Sequence, residues 1–289
     1  MIRWRGLPLA ALAALLPVAT SAQTVHSPPI TAGTDEKLAL PAGYKQVWAD
    51  EFDRPGLPDP KKWAYDTSRN KAGWYNEERQ YYAARRPENA RVENGRLILT
   101  ARKERLSDKP DFGGQDFASG KLVTSGLAQW KYGFVEVRAK LPCGRGIWPA
   151  IWMLASDGRA GWPAMGEIDI MEHVGWDPGR VHGTVHTGAY NHVAQTQKGS
   201  NVMVPDACTA FHNYQLDWNA DRILIGVDGH AHMRFDNDHE RDSATWPFAS
   251  PQYLILNVAV GGWGGQKGID DSAFPAAMEV DYVRVWQKR

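Results

Sequence analysis

Three carboxylates lie within one short apolar segment, GEIDIMEHVG, as Glu167, Asp169 and Glu172. In a β-strand Glu167 and Asp169 share one face, because successive side chains point to opposite sides. Strict alternation would put Glu172 on the other face. A β-bulge at Ile170 or Met171 would return Glu172 to the acidic face, and bulges commonly re-aim side chains beside active sites. We therefore predict a bulged strand that presents all three acids on one face.

Two explanations for this acidic face compete with catalysis. A solvated surface strand is one, but three like charges without interleaved lysine or arginine repel each other. A metal site is the second, with His173, His182 and His186 within reach along the chain. Zinc and calcium both require a particular geometry, and histidines in strands more often make ordinary hydrogen bonds. Neither explanation accounts for the number and spacing of the acids as well as catalysis does.

Glycoside hydrolysis is the chemistry that uses such acids most directly. A retaining enzyme needs two carboxyl groups about 5–5.5 Å apart, one as nucleophile and one as proton donor, whereas an inverting enzyme needs about 6.5–9.5 Å. Glu167 and Glu172 can converge to the shorter separation through their long side chains. Asp169 between them can share a proton and help to hold the other groups at different pKa values. The crowding favours retention of configuration.

Composition limits the binding partners. The formal net charge is zero and there is no basic run, so neither nucleic acid nor an acidic membrane surface has an electrostatic footprint here. The chain contains 13 Trp, 10 Tyr and 8 Phe, which is more tryptophan than a core of this size needs. Exposed tryptophans in a groove suit the flat faces of sugars.

The sequence predicts three regions along the chain. Two arginines, an apolar stretch and a few small residues indicate a secretory signal peptide at residues 1–22, and the apolar stretch is shorter than the roughly 20 residues that span a bilayer. Residues 23–42 contain several prolines and no periodicity, which is typical of a flexible leader. Residues 43–289 form one domain. We therefore expect export to the periplasm or the extracellular medium.

The domain is predicted to be all-β. Segments such as YGFVEVRAK, RILIGVDGH and MEVDYVRVW alternate apolar and polar residues or end in hairpin signals, and no sustained helical period follows the signal peptide. Many short strands with regular turns indicate a sandwich or barrel of antiparallel sheets. The two cysteines, Cys143 and Cys208, form either one disulfide or two buried thiols, and an oxidising compartment favours the disulfide.

These residues resemble a known family. GEIDIMEHVG resembles the signature of glycoside hydrolase family 16, and the extra Met171 resembles the bulged form typical of laminarinase-like endo-β-1,3-glucanases. The resemblance covers roughly residues 43–288 in the family's order. Its other segments are WADEFD, NEERQYY, NGRLILTARKE, KYGFVEVRAKLP, GIWPAIWML, GTVHTGAYNH, LILNVAVGGWGG and MEVDYVRVW.

The resemblance implies a jelly-roll sandwich of antiparallel sheets with a concave groove that binds β-glucan. It implies Glu167 as nucleophile, Asp169 as assisting acid and Glu172 as general acid/base. Further residues match the family's substrate contacts: Asn76, Trp148, Trp152, His186 and Trp263.

The resemblance also implies a structural calcium, bound by Glu51, the carbonyl of Gly95 and Asp281, whose oxygen ligands suit that ion. These residues could equally be plain surface groups. Catalysis needs no cofactor, and we expect a monomer.

The resemblance leaves several activities open. The same site could hydrolyse internal β-1,3 bonds, act on mixed β-1,3/1,4-glucans, or transfer the sugar to another sugar hydroxyl. A non-catalytic glucan-binding protein on the same fold is a different class of function. Such recognition proteins typically lack the catalytic glutamates, and both are present in this chain.

Overall fold

The computed structural model describes residues 30–31 and 33–288, and within these ranges it contains 19 strands, numbered here in chain order, and three short 3-10 helices. The inner sheet has the order β1 (Ile30–Thr31), β14 (Lys198–Met203), β13 (Arg180–His186), β12 (Glu167–His173), β11 (Ile147–Ala155), β18 (Gln252–Val260), β9 (Lys121–Val123) and β4 (Ala64–Tyr65). The outer sheet has the order β2 (Gly33–Lys37), β17 (His230–Asp236), β16 (Arg222–Val227), β15 (His212–Trp218), β10 (Gly133–Lys140), β19 (Ala276–Lys288), β7 (Arg96–Ala101) and β6 (Ala90–Glu93), with β3 (Tyr44–Asp50) also paired to β19. The remaining elements are the pair β5 (Gln80–Tyr82) and β8 (Phe117–Ser119), and 3-10 helices at Gly158–Ala160, Gly262–Gly265 and Asp271–Ala273.

The predicted all-β sandwich of antiparallel sheets is confirmed. Alternating side chains of the two sheets meet in one large apolar core, as period-2 patterns require. Two pairings in the described chain are parallel, β1 with β14 and β5 with β8. Among the described residues, no helix is long and apolar enough to cross a membrane. The side of the inner sheet that faces away from this core carries the polar residues of the site, and we call it the open face.

Part of the predicted flexible leader is a strand. Gly33–Lys37 pairs with β17, and Glu36 accepts hydrogen bonds from Arg222 at 3.2 Å and Arg234 at 2.8 Å. Leu38 follows with 2% of its surface exposed. The prediction was wrong for this segment because its order comes from ion pairs to residues almost 200 positions away, which leave no local pattern. The predicted signal peptide lies outside the described residues.

The predicted disulfide between Cys143 and Cys208 is confirmed, with a Cα–Cα distance of 5.9 Å and a sequence separation of 65. It ties the loop between β10 and β11 to the loop before β15. We expect the double substitution Cys143→Ser/Cys208→Ser to lower the free energy of unfolding by about 4 kcal/mol, because the bond closes a long loop in the unfolded chain. Urea unfolding of the oxidised protein and the double variant measures this difference. A reducing agent should shift the wild-type midpoint and leave the variant unchanged; equal midpoints for the two oxidised proteins would contradict the expectation.

Candidate active site

The three acids lie on β12, and the ladder beside them shows one extra residue on that strand. Asp169 lies opposite Thr184 and Glu172 lies opposite His182, so three steps along β12 match two along β13. The predicted β-bulge is therefore confirmed, and Glu167, Asp169 and Glu172 all point to the open face.

The other face of β12 holds the strand in place. Ile168, Ile170 and Met171 are fully buried in the core. Because a one-residue slip would bring carboxylates into this core, the register of the strand is strongly specified. The acids therefore stand on a rigid element rather than on a loop.

Burial and mutual repulsion raise the pKa of all three acids. Burial raises the pKa of Glu167 to about 8, with the charge of Asp169 adding to the shift. Burial and the charge of Glu167 also raise the pKa of Glu172 to about 8. Burial, and then the charge of Glu172, raise the pKa of Asp169 well above its usual range. Three carboxyl groups this close cannot all ionise at neutral pH, so they share protons as one coupled set.

Exposure divides the acids into two kinds. Glu167 and Glu172 are partly exposed to the groove, whereas Asp169 is only 3% exposed. Desolvation disfavours the charged form most where burial is deepest. A proton is therefore held best by Asp169, which leaves Glu167 the easier group to ionise.

Two indole groups orient the two glutamates separately. Trp162 Nε1 donates a hydrogen bond to Glu167 Oε2 at 2.7 Å, and Trp148 Nε1 donates one to Glu172 Oε1 at 3.1 Å. Trp162 is 38% exposed and lies in the loop between β11 and β12. Sequence reasoning missed Trp162, whose signal was a tryptophan in a glycine- and proline-rich loop directly before the acidic strand.

His186 lies beside the acids, as the resemblance implied. The Nε2 atom of His186 is 3.4 Å from Asp169 Oδ2, and His186 on β13 lies directly opposite Glu167 on β12. Burial lowers the pKa of His186, so the ring is favoured in its neutral form. The neutral imidazole therefore faces Asp169 without forming an ion pair.

The tryptophans on β11 both point to the open face. Trp152 Nε1 donates to Asn257 Oδ1 at 2.7 Å, and Asn257 Nδ2 in turn donates to the Tyr82 hydroxyl at 2.9 Å. These bonds fix the orientation of the Trp152 ring, which is half-buried, whereas Trp148 is 8% exposed. Residues four apart on one strand share a face, because side-chain direction alternates with a period of two.

Lys121 is a buried cation on the same face that sequence reasoning missed. Its ammonium lies 2.9 Å from Asp66 Oδ2 and over the rings of Trp74 at 4.5 Å and Trp152 at 5.3 Å. Only 8% of its surface is exposed. Lys121 and Trp152 are distant in sequence from each other and from the segment that holds Asp66 and Trp74, so no local pattern could have found this arrangement.

Asn76 lies in a loop and Trp263 lies in the 3-10 helix Gly262–Gly265, both at the edge of the site. Both line a cleft of about 1320 Å³, together with His192. The Trp263 ring is 5.9 Å from the Trp148 ring. A Cβ on Gly262 would lie 2.9 Å from both the Asn76 carbonyl and the Trp148 ring, so only glycine allows these loops to approach. The cleft therefore extends the site beyond the three acids.

The residues implied for calcium lie on the outer sheet. β19 pairs with β7 as far as Val280 and with β3 from Val283, so Asp281 stands at the junction of the two pairings. Both oxygens of Glu51 accept hydrogen bonds from Arg284 at 2.8 Å, and Asp281 Oδ2 accepts one from Arg138 at 2.9 Å.

The donor set fits calcium only in part. Glu51, Asp281 and the carbonyl of Gly95, which directly precedes β7, offer oxygen ligands as calcium prefers. The guanidinium groups of two arginines engage the same carboxylate oxygens. An ion would have to displace Arg284 and Arg138, and the calcium site stays a prediction.

Comparison with known proteins decides the family. The model for "Glycosyl hydrolases family 16" matches residues 77–284. This chain belongs to glycosyl hydrolase family 16. The membership predicted from the acidic motif is confirmed, and the chain is a glycoside hydrolase.

Known β-glucanases resemble this chain over most of its length. The β-glucanase of Rhodothermus marinus is 52% identical over 263 residues, which are 88% of this chain and 89% of the relative. The solved structure of SCLam, a non-specific endo-β-1,3(4)-glucanase of the family, is 68% identical with a TM-score of 0.88, and covers 90% of this chain and 97% of SCLam. The laminarinase structure from Rhodothermus marinus is 51% identical with a TM-score of 0.80, and covers 84% of this chain and 97% of that protein.

Proposed function

We propose that this protein is an endo-β-glucanase that hydrolyses internal β-1,3-glucosidic bonds of laminarin-type glucans with retention of configuration. The observation that carries the proposal is the bulged strand with Glu167, Asp169 and Glu172 on one face. The similarity to a laminarinase and to an endo-β-1,3(4)-glucanase supports the substrate class.

The proposed mechanism has two steps. Glu167 attacks the anomeric carbon and forms a glycosyl ester while Glu172 gives its proton to the departing glycosidic oxygen. Glu172, now ionised, takes a proton from water, whose oxygen attacks the same carbon and releases Glu167. Once Glu167 is esterified its charge is gone, so the pKa of Glu172 falls and the residue can act as a base. Asp169 holds the shared proton beside Glu167.

A mixed β-1,3/1,4 specificity is the second candidate. One observation favours it: the most extensive structural match reported above is with an enzyme described as non-specific for 1,3(4) linkages. Transfer to a sugar hydroxyl instead of water would use the same ester. Competition between water and a sugar hydroxyl for this ester then decides between hydrolysis and transglycosylation.

Product analysis tests these activities together. Purified protein is incubated with laminarin, lichenan and agarose, and early products are separated by size. We expect rapid appearance of mid-length oligosaccharides from laminarin and none from agarose; comparable cleavage of lichenan supports the mixed specificity. Proton NMR of the first product should show the β-anomer. Release of single glucose units only would contradict endo action, and a first-formed α-anomer would contradict retention.

Lys121→Met tests the part of the groove around Trp152. We expect KM for laminarin to rise roughly fivefold, since a desolvated cation–π contact stabilises by about 1 kcal/mol and the Trp152 ring loses that restraint. The turnover number should change little, because β9 is three strands away from β12 in the sheet. Lys131→Met, which removes an exposed lysine over Tyr132, is the matched control. An unchanged KM would show that Lys121 does not support the substrate platform.

We also propose the structural calcium and test it by thermal unfolding. Millimolar calcium should raise the Tm of chelator-treated wild-type protein, because an ion that binds only the folded state stabilises it. Magnesium should have a smaller effect, since it demands tighter octahedral geometry. Asp281→Asn should remove the calcium response. A Tm that calcium leaves unchanged removes the site.

Export and a monomeric state are further proposals, which rest on the pattern of residues 1–22 and on the family resemblance. Expression with the natural start and N-terminal sequencing of the mature protein tests export. We expect cleavage after Ala22 and recovery outside the cytoplasm. Light scattering should give the mass of one chain; a cytoplasmic, uncleaved protein or a dimer mass would contradict these proposals.

A further inference from the structure

Three side chains of the active site form a cluster that could ligate a metal ion. One potential ligand atom from each of Glu167, Asp169 and His186 lies within 4.8 Å of the other two. Glu167 and Asp169 are two residues apart on β12, and His186 is directly opposite Glu167 on β13. A strand pair is a rigid support for such a set.

An unpaired polar atom points into this cluster. Asp169 Oδ2 is buried without a hydrogen-bond partner, and Asp169 is 3% exposed. Asp169 Oδ2 faces His186 Nε2 at 3.4 Å. Leaving a buried polar atom unsatisfied costs free energy, and a charged group costs more. An ion at this point would satisfy the carboxylate oxygen.

The charge of the cluster also favours a cation. Within residues 33–288, no lysine or arginine forms an ion pair with Glu167, Asp169 or Glu172. The histidine beside them offers an imidazole nitrogen that can coordinate a metal. When they ionise, the acids therefore have no lysine or arginine among the described residues as an ion-pair partner.

A second group of potential metal ligands, Cys143, His173 and Cys208, is not available to bind a metal. His173 lies 3.9 Å from the sulfur of Cys143, but that sulfur is in the disulfide and cannot act as a thiolate ligand. Its Nε2 already accepts a hydrogen bond from the Gly179 backbone at 3.1 Å. Of the three histidines that the sequence placed near the acids, only His186 belongs to the cluster with Glu167 and Asp169.

We propose that Glu167, Asp169 and His186 bind one divalent transition-metal ion, Zn²⁺ or Cu²⁺, and that this ion inhibits the enzyme. One imidazole nitrogen and two carboxylate oxygens suit these ions, whereas calcium and magnesium prefer oxygen ligands throughout. Glu167 is partly exposed, so a further coordination position would face the groove.

Inhibition follows from the identity of the ligands. A carboxylate that donates to a metal cannot attack the anomeric carbon, and an ion on Asp169 displaces the proton held there. Metal and substrate therefore compete for the same side chains. This consequence rests on the proposed role of Glu167, whereas binding of the ion does not.

Calorimetric titration of chelator-treated wild-type protein with zinc chloride tests the site without measuring activity. We expect one ion per chain, at least tenfold weaker binding in His186→Gln and in Asp169→Asn, and no binding of magnesium at the same concentration. His212→Gln is the matched control, because His212 lies between Asp206 at 3.1 Å and Asp228 at 2.6 Å on the surface and could hold zinc adventitiously. Circular dichroism and Tm establish that each variant is folded.

The outcomes separate the metal site from the proposed activity. The proposal is overturned if the wild-type protein binds no zinc. It is also overturned if zinc binding persists in both His186→Gln and Asp169→Asn, or disappears in His212→Gln. Laminarin oligosaccharides should weaken zinc binding, zinc should raise KM for laminarin, and a chelator should restore the activity. An enzyme that is active on laminarin yet binds no zinc disproves the metal site alone. A protein that binds zinc through His186 but cleaves no glucan disproves the proposed function alone.

Discussion

Glu167→Ala will lower the turnover number on laminarin by on the order of 10⁴-fold or more, because it removes the group that forms the covalent intermediate. The empty space beside Trp162 can admit a small nucleophile on the side where the ester would form. An α-glycosyl fluoride already has the configuration of that ester, so the variant should transfer its sugar to an acceptor and make longer oligosaccharides. Liquid chromatography of the products measures this gain.

The control for Glu167→Ala is Glu240→Ala. It removes an exposed glutamate in the segment between β17 and β18 and leaves the three acids unchanged. This variant should retain wild-type activity. Residual hydrolysis of laminarin by Glu167→Ala within tenfold of wild type would exclude Glu167 as the nucleophile. Azide rescue of Glu167→Ala with retained configuration would reverse the roles assigned to Glu167 and Glu172.

Glu172→Ala will lower the turnover number on laminarin by about 10²–10⁴-fold, the usual contribution of a general acid/base. Aryl glycosides with a good leaving group need little protonation, so their first step should remain fast. Azide needs no general base, and it should therefore restore turnover and give a β-glycosyl azide. Measurement of both substrates with and without azide separates the loss of the acid from a loss of folding.

The pH dependence adds a second readout for Glu172. The general acid must be protonated in the free enzyme, and burial with the nearby charge of Glu167 raises its pKa to about 8. Activity on laminarin should therefore fall as the pH rises through about 8, because Glu172 loses its proton. Glu172→Ala should lose this alkaline limb on activated substrates. If Glu172→Ala shows the same loss of activity at alkaline pH, the titrating group is another of the three acids.

Local sequence determined the chemistry of the site and the class of the fold. The spacing of Glu167, Asp169 and Glu172 required a bulged strand, because side-chain direction in a strand has a period of two residues. The same rule put Trp148 and Trp152 on one face. Alternation in the other segments predicted antiparallel sheets, since one buried face per strand is the pattern that such sheets need.

Tertiary structure decided which other residues lie on the open face and how they are held. Trp162 reaches Glu167, and Lys121 is held among Asp66 and two tryptophans, through contacts that link separate loops and strands. No periodicity encodes such contacts, because they depend on the pairing of β9, β11, β12 and β13 in one sheet.

Pairing across the sheets also settled what the sequence left open. His186 lies in the acid cluster because it is opposite Glu167, while His173 lies next to the disulfide. The segment Gly33–Lys37 is a strand because the side chain of Glu36 meets two arginines on β16 and β17. Strand register depends on the whole sheet. The position of a side chain along one strand therefore determines its contacts only once the neighbouring strands are paired.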